Sequence, residues 1–148
     1  MQKLTEYKPK QDKNEQPAKW YIIDAQNVRL GKLGSKAAQL LIGKDNVDHV
    51  DYQTANAGVV IINSDKVSYF HKRAKNKIYY SHSGYPGGFK ATSLGQQMNK
   101  DSRKVIENAV SGMLPKNKLR KQFMTKLRVF KDNNHNLEAQ QPEEVKVT

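Results

Sequence analysis

The chain has 148 residues, 36% of them apolar and none of them cysteine, with 26 lysines and arginines against 14 acids for a formal net charge of +12. A domain of this length removes roughly two-thirds of its unfolded surface from water, and the missing cysteines exclude disulfides and thiolate metal sites and fit a reducing compartment. No apolar run approaches the roughly 18 residues of a membrane-spanning helix, and the charged N-terminus has no apolar stretch behind it to act as a secretory signal.

In chain order, residues 1–19 are polar, include Pro9 and Pro17 and lack any hydrophobic period, which predicts a flexible arm. "WYIIDA" (Trp20 to Ala25) is an almost wholly apolar run of β-formers, the pattern of a strand covered on both faces. In "LGSKAAQLLIG", Leu33, Ala37, Leu40 and Leu41 fall at helical spacing and Gly43 supplies a stop. "GVVIINSD" (Gly58 to Asp65) reads as a second buried strand and "VSYF" (Val67 to Phe70) as a third. Strand, helix, strand without polar alternation predicts an α/β domain with parallel pairing at its centre. Further on, "SLGQ" (Ser93 to Gln96) has the spacing of a capping box. Asp101 is placed to cap a second helix, whose stripe of Val105, Ile106, Ala109, Val110, Met113 and Leu114 faces inward until Pro115 ends it. "NKLRKQFMTK" predicts another turn or two of helix, with Asn117 as its cap and Leu119, Phe123 and Met124 inward. "LRVF" (Leu127 to Phe130) reads as the last strand. The organisation is then an arm over 1–19, a globular domain over 20–131, and an irregular acidic tail over 132–148.

The charge is not spread evenly. Between His71 and Lys131 there are 15 basic residues and two acids, Asp101 and Glu107, whereas the rest of the chain holds 11 basic and 12 acidic residues. A surface built this way suits a polyanion better than it suits mere solubility, so the pattern points to nucleic acid.

Within that stretch, "KIYYSHSGYPGGFK" (Lys77 to Lys90) superficially matches a phosphate-binding loop. The mechanics fail: Phe89 separates Gly88 from Lys90, Ala91 stands where a hydroxyl is needed, and Pro86 removes an amide donor. Catalytic and metal constellations are equally thin. His49, His71, His82 and His135 show no ligand spacing, there is no nucleophile elbow, and Asp24 at a strand end is better read as a turn cap than as a catalyst. Neither cofactor nor metal is expected. What the stretch does offer is flat faces for bases or sugars (Tyr79, Tyr80, His82, Tyr85, Phe89) and cations for phosphates (Lys72, Arg73, Lys75, Lys77, Lys90). Gly84, Gly87 and Gly88 let backbone approach a bulky ligand and Pro86 stiffens the turn. In "IYY" alternate residues point to opposite sides, so Tyr79 should differ in fate from Ile78 and Tyr80. Lys116, Lys118, Arg120, Lys121, Lys126 and Arg128 form a second basic cluster. The residues alone indicate an RNA- or DNA-binding module.

"KIYYSHSGYPGG" together with "GMLPKNKL" (Gly112 to Leu119) closely resembles the bacterial large-subunit ribosomal protein L13 (uL13) family. The likeness extends through "WYIIDA", "LGKLGSKAAQLLIGK", "VVIINSDKV", "KLRVF" and the segment from His135 to Glu143. The resemblance implies a three-layer α/β/α domain with a small, mostly parallel sheet, no enzymatic activity, binding to large-subunit rRNA beside neighbouring ribosomal proteins, and a part in early subunit assembly. It carries RNA contact to Tyr79, Tyr80, His82, Gly84, Tyr85, Pro86, Gly87 and Gly88, and to Lys116 and Asn117. The chain departs from the family pattern at Lys32, at Asn56-Ala57, at Phe70-His71, at Arg120 and at Leu137. The alternatives are a free regulator that binds messenger RNA and, in a different class, a nucleotide-dependent α/β enzyme.

Overall fold

A computed structural model describes residues 19–46, 49–52 and 54–147, without the side chain of Arg73. The expected N-terminal arm therefore lies outside the described residues, except for Lys19, which opens the first strand.

Strand β1 (Lys19–Asp24) leads into helix α1 (Leu30–Ile42) and then β2 (Ala57–Ile62). The two strands pair in parallel from Lys19 opposite Ala57 to Asp24 opposite Ile62. A parallel neighbour has to be reached by a crossover, and α1 is that crossover. It ends where Gly43 turns left-handed and donates its amide to the Gln39 and Leu40 carbonyls. After β2 come α2 (His71–Asn76), an antiparallel hairpin of β3 (Ile78–His82) and β4 (Phe89–Ser93), then α3 (Leu94–Lys100), α4 (Ser102–Met113) and α5 (Arg120–Thr125). The chain returns to the main sheet as β5 (Leu127–Val129) beside β2, and β6 (Glu143–Glu144) closes the other edge against β1. The order β5-β2-β1-β6 is parallel throughout, while β3 and β4 make a separate two-stranded sheet. The α/β class with a small parallel sheet is as the sequence predicts.

Side-chain alternation divides the main sheet into two faces. Ile23, Val59, Ile61 and Leu127 turn to α1 and α4, where they meet Leu33, Ala37, Leu41, Ile106 and Val110 in one core. Each fully buried branched side chain there contributes roughly 1.5–3 kcal/mol relative to exposure. On the opposite face Trp20 lies across Gly58, its strand partner, so closely that a Cβ on Gly58 would come within 2.5 Å of the indole. That face is covered by the C-terminal segment. The tail predicted to be irregular crosses from β5 to β6 with one 3-10 turn (Glu138–Gln140) and Phe130 near His135, and its two-residue strand adds a sheet edge. The physical reason is topological: β5 and β6 lie at opposite edges, so the segment between them has to span a face.

Other expectations change in detail. "VSYF" is not a strand; Ser68 makes one parallel bridge to Arg29, exchanging backbone bonds with Val28 and Leu30. Asn117 does not cap α5 with its side chain: the helix starts later, and the Asn117 carbonyl accepts the Arg120 amide in the preceding turn. Met113 sits 42% exposed rather than inside. The caps of α3 and α4 form as predicted. The Ser93 hydroxyl accepts from the Gln96 amide, the Gln96 side chain accepts from the Ser93 amide, and Asp101 accepts from the Arg103 amide.

Polar groups at the ends of β1 and β2 satisfy one another. Asp24 accepts from the Gln26 amide and from Asn63 Nδ2, both at 2.9 Å, which is the turn-capping role expected of it. Ser102 donates to Asp65, so its contact with the buried Ser64 hydroxyl at 2.7 Å is one in which Ser64 donates. This is where α/β enzymes hold reactive groups. Here the groups are spent on structure.

Candidate nucleic-acid interface

The hairpin stands away from the main sheet. Its register pairs Ile78 with Ser93, Tyr80 with Ala91 and His82 with Phe89, so Ile78, Tyr80, His82 and Phe89 share one face while Tyr79 and Ser81 share the other. The anchor is Leu94, which is buried and donates its amide to the Lys77 carbonyl. Beyond that anchor almost every side chain is open to solvent. Tyr80 is 66%, Phe89 60% and Tyr85 75% exposed. Tyr80 and Phe89 stack at 5.7 Å with an interplanar angle of 21°, forming a flat aromatic surface that nothing in the protein covers among the described residues. Tyr79 differs, as alternation requires: it is half-buried, its hydroxyl is enclosed, and the Lys77 ammonium sits 5.3 Å from its ring centroid.

The tip is a closed turn, not a phosphate loop. It joins two antiparallel strands, with no helix directly after the glycines. Gly84 and Gly87 take positive φ values of 86° and 72°, which side chains rarely adopt. Gly88 donates to the Tyr85 carbonyl at 2.9 Å. His82 Nδ1 accepts the Gly84 amide at 2.8 Å, which places the proton of the neutral ring on Nε2 and leaves that nitrogen as a donor.

The lysines around this surface form no ion pair among the described residues. Lys72, Lys75, Lys77 and Lys90 are exposed, and the ion pairs among the described residues (Lys36 with Asp45, His49 with Asp51, Arg103 with Asp101) involve none of them. The Arg73 side chain is outside the described residues. Lys116, Asn117 and Lys118 are exposed in the turn after α4, and Arg120 and Lys121 open α5. Arg120 Nε also donates to the Pro115 carbonyl at 3.2 Å, bracing that turn.

Two expected contacts stand apart from this group. Lys126 is drawn inward and donates to the Ala55 carbonyl at 2.8 Å; burial lowers its pKa below the ordinary lysine value. Arg128 is exposed on the sheet face that the tail covers, opposite α1 and α4. Conversely, two cations the motifs did not single out, Arg29 and Lys32, lie at the start of α1, close to Phe70 and Lys77 around one cavity. A signal for them exists. Helix N-termini favour acids, yet α1, α2 and α5 have no acid in their first turns, and cations stand there instead. Charges placed against the helix dipole at three helix starts suit an external anion better than they suit the fold.

Among the described residues no group of three or more His, Asp or Glu side chains is arranged to hold a metal, and no helix is long and apolar enough to cross a membrane.

Comparison with known proteins gives the same direction. A family model described as Ribosomal protein L13 matches residues 18–136. The large ribosomal subunit protein uL13 of Mycoplasma genitalium is 45% identical over 84% of this chain and 85% of the relative, and that of Mycobacterium marinum is 47% identical over 83% and 84%. The uL13 of Cutibacterium acnes is 39% identical across 98% of this chain and 97% of its own. With nearly the whole described domain inside the match, the chain belongs to the ribosomal protein L13 (uL13) family.

Proposed function

We propose that this chain, a non-enzymatic structural protein of the large ribosomal subunit, grips large-subunit rRNA with the hairpin and the turn after α4, and so supports early subunit assembly. The observation that carries the reading is the concentration, on that part of the molecule, of exposed aromatic faces and of cations that form no ion pair among the described residues. Phosphate neutralisation with release of counterions supplies affinity, so binding weakens steeply as salt rises. Selectivity comes from RNA shape and from unpaired bases stacked on Tyr80, Phe89 and Tyr85, because the A-form major groove is too narrow for side chains to read. Lys126 and Arg128 are left out of the contact set, the first because it serves Ala55 and the second because of the face it occupies.

The test is sedimentation of cell extract in a high-salt gradient, with binding of the purified chain to large-subunit rRNA measured across salt concentrations. Co-migration with large subunits and a steep linear fall of log affinity with log salt are expected. A chain that stays at the top of the gradient, or binds RNA without salt dependence, overturns the reading.

A further inference from the structure

A cavity of about 660 Å³ lies between the start of α1, the 68–70 segment, the base of the hairpin and the last turns of α4. Its size falls within the roughly 300–1,000 Å³ range of sites that enclose a small organic molecule. Leu94 and Met113 contribute apolar wall, Phe70 an aromatic ring, and Arg29, Lys32 and Lys77 all the charge; no acid lines it. The Arg29 guanidinium is held 5.1 Å over the Phe70 ring, and none of the three cations forms an ion pair among the described residues. Asn108 lines the wall with its side-chain amide unbonded among the described residues, so donors and an acceptor are available there.

We infer that this cavity receives one unstacked nucleotide of the bound RNA, its base against Phe70 and Met113 and its phosphates among Arg29, Lys32 and Lys77. The chemistry selects the occupant. An apolar peptide side chain would leave three cations and an amide unmatched, while a nucleotide presents a flat apolar face, a polar edge and an anion together. Continuity selects RNA over a free nucleotide. Lys77 belongs both to the cavity and to the base of the hairpin, and the Lys116–Lys118 turn follows the α4 residues that line the cavity, so a strand lying on the proposed interface passes its mouth. The inference rests on the rRNA-binding reading and adds a site to it.

Gly112 supplies the decisive variant. It lines the cavity from α4, and a Cβ there would meet no atom within 4 Å. Gly112→Phe therefore fills the cavity while replacing a poor helix former by a better one. The experiment uses the full chain and large-subunit rRNA, read by affinity, by base-specific chemical footprinting and by the melting temperature of the free protein. Gly112→Phe is expected to lower affinity about tenfold, a factor typical of one stacked base. It should also expose a single unpaired nucleotide that the unsubstituted chain protects, keep the rest of the footprint, and leave the melting temperature undiminished. Asn108→Ala, on the exposed side of α4, removes the amide without adding bulk; it should weaken protection at the same nucleotide even if the phenylalanine variant folds poorly. If both variants bind and protect as the unsubstituted chain does while Tyr80→Ala/Phe89→Ala binds weakly, the cavity assignment is wrong and the rRNA reading stands. If the hairpin variant also binds normally, the reading itself fails. Saturable binding of adenosine or uridine monophosphate that leaves RNA affinity untouched makes the cavity a free-nucleotide site and overturns the inference.

Discussion

The main sheet and the hairpin use the same residue types to opposite ends. In β1 and β2 the apolar side chains are turned into a core, Val59, Val60 and Ile61 with no exposure at all, and the polar groups at the strand ends bond to one another. In the hairpin Tyr80 and Phe89 lie open, and Lys72, Lys75 and Lys90 have no ion-pair partner among the described residues. A protein exposes large apolar faces at a cost, and a contiguous exposed patch marks a binding surface. The difference divides the labour: one region supplies stability and the other is completed by a ligand. That division predicts that substitutions in the two regions affect different measurements.

The largest effect belongs to the core. Ile61→Ala should destabilise the fold by about 2–5 kcal/mol, because Ile61 is fully enclosed between strands and helices and the cavity left cannot fully collapse. Chemical denaturation measures this, and RNA affinity measured well below the melting temperature should not change. A matching loss of affinity would break the separation of the two regions. On the binding side, changing Lys116, Lys118, Arg120 and Lys121 together to Ala should flatten the slope of log affinity against log salt by about 3, since each phosphate contact contributes roughly 0.7–0.9. An unchanged slope would remove that turn from the interface. Tyr80→Ala with Phe89→Ala should leave the salt slope as it is and weaken binding by about 1–3 kcal/mol for each base that stacks there. Its melting temperature should barely move, because both rings are already in water.

The fold was legible because its strands are short, unbroken apolar runs and its helices carry caps that act locally. Ser93 with Gln96 and Asp101 with Arg103 need only a few consecutive residues to be recognised, and both caps form. What was not legible depends on parts distant in the chain. The two-residue strand β6 has no strand-forming composition; it exists because Tyr21 and Ile22 offer an open edge to Glu143 and Glu144. Val67 to Phe70 has the composition of a strand but finds only one bridging partner, at Arg29. The same holds for the interface. The hairpin motif is continuous, so its members were identifiable together, whereas Arg29 and Lys32 share a cavity with Phe70 and Lys77 only once the start of α1 is bridged to the 68–70 segment, far along the chain. Lys126 shows the converse, since nothing local in a basic run marks the one lysine that turns inward to the Ala55 carbonyl.

The smallest expected effect tests whether Arg103, the one cation of the basic stretch that is ion-paired among the described residues, is structural. Arg103 follows the cap of α4, and its guanidinium reaches back to Asp101 at 3.0 and 3.3 Å, while its amide donates to the same carboxylate. The hydrogen bond from the Arg103 side chain, aided by its charge, holds the Asp101 pKa below its ordinary value. A depressed carboxylate contributes stability above the unfolded-state pKa, near 3.9, and loses it as pH falls through the lower folded-state pKa. Asp101→Asn keeps an oxygen that caps the helix as well as aspartate does and removes only the charge. The variant should therefore be less stable at neutral pH by no more than about 1 kcal/mol, the range of an exposed pair. The gap should shrink in high salt and close as the medium is acidified below the folded-state pKa. Urea unfolding of both chains at pH 7 and at about pH 2 measures it. A gap that persists in acid would mean that asparagine fails as a cap here and that the ion pair contributes nothing. RNA affinity is the second readout: it should be unchanged, because the start of α4 lies outside the proposed contact set and the arginine released by the substitution meets no phosphate there, and a change would move the boundary between the region that stabilises and the region that binds onto the start of α4.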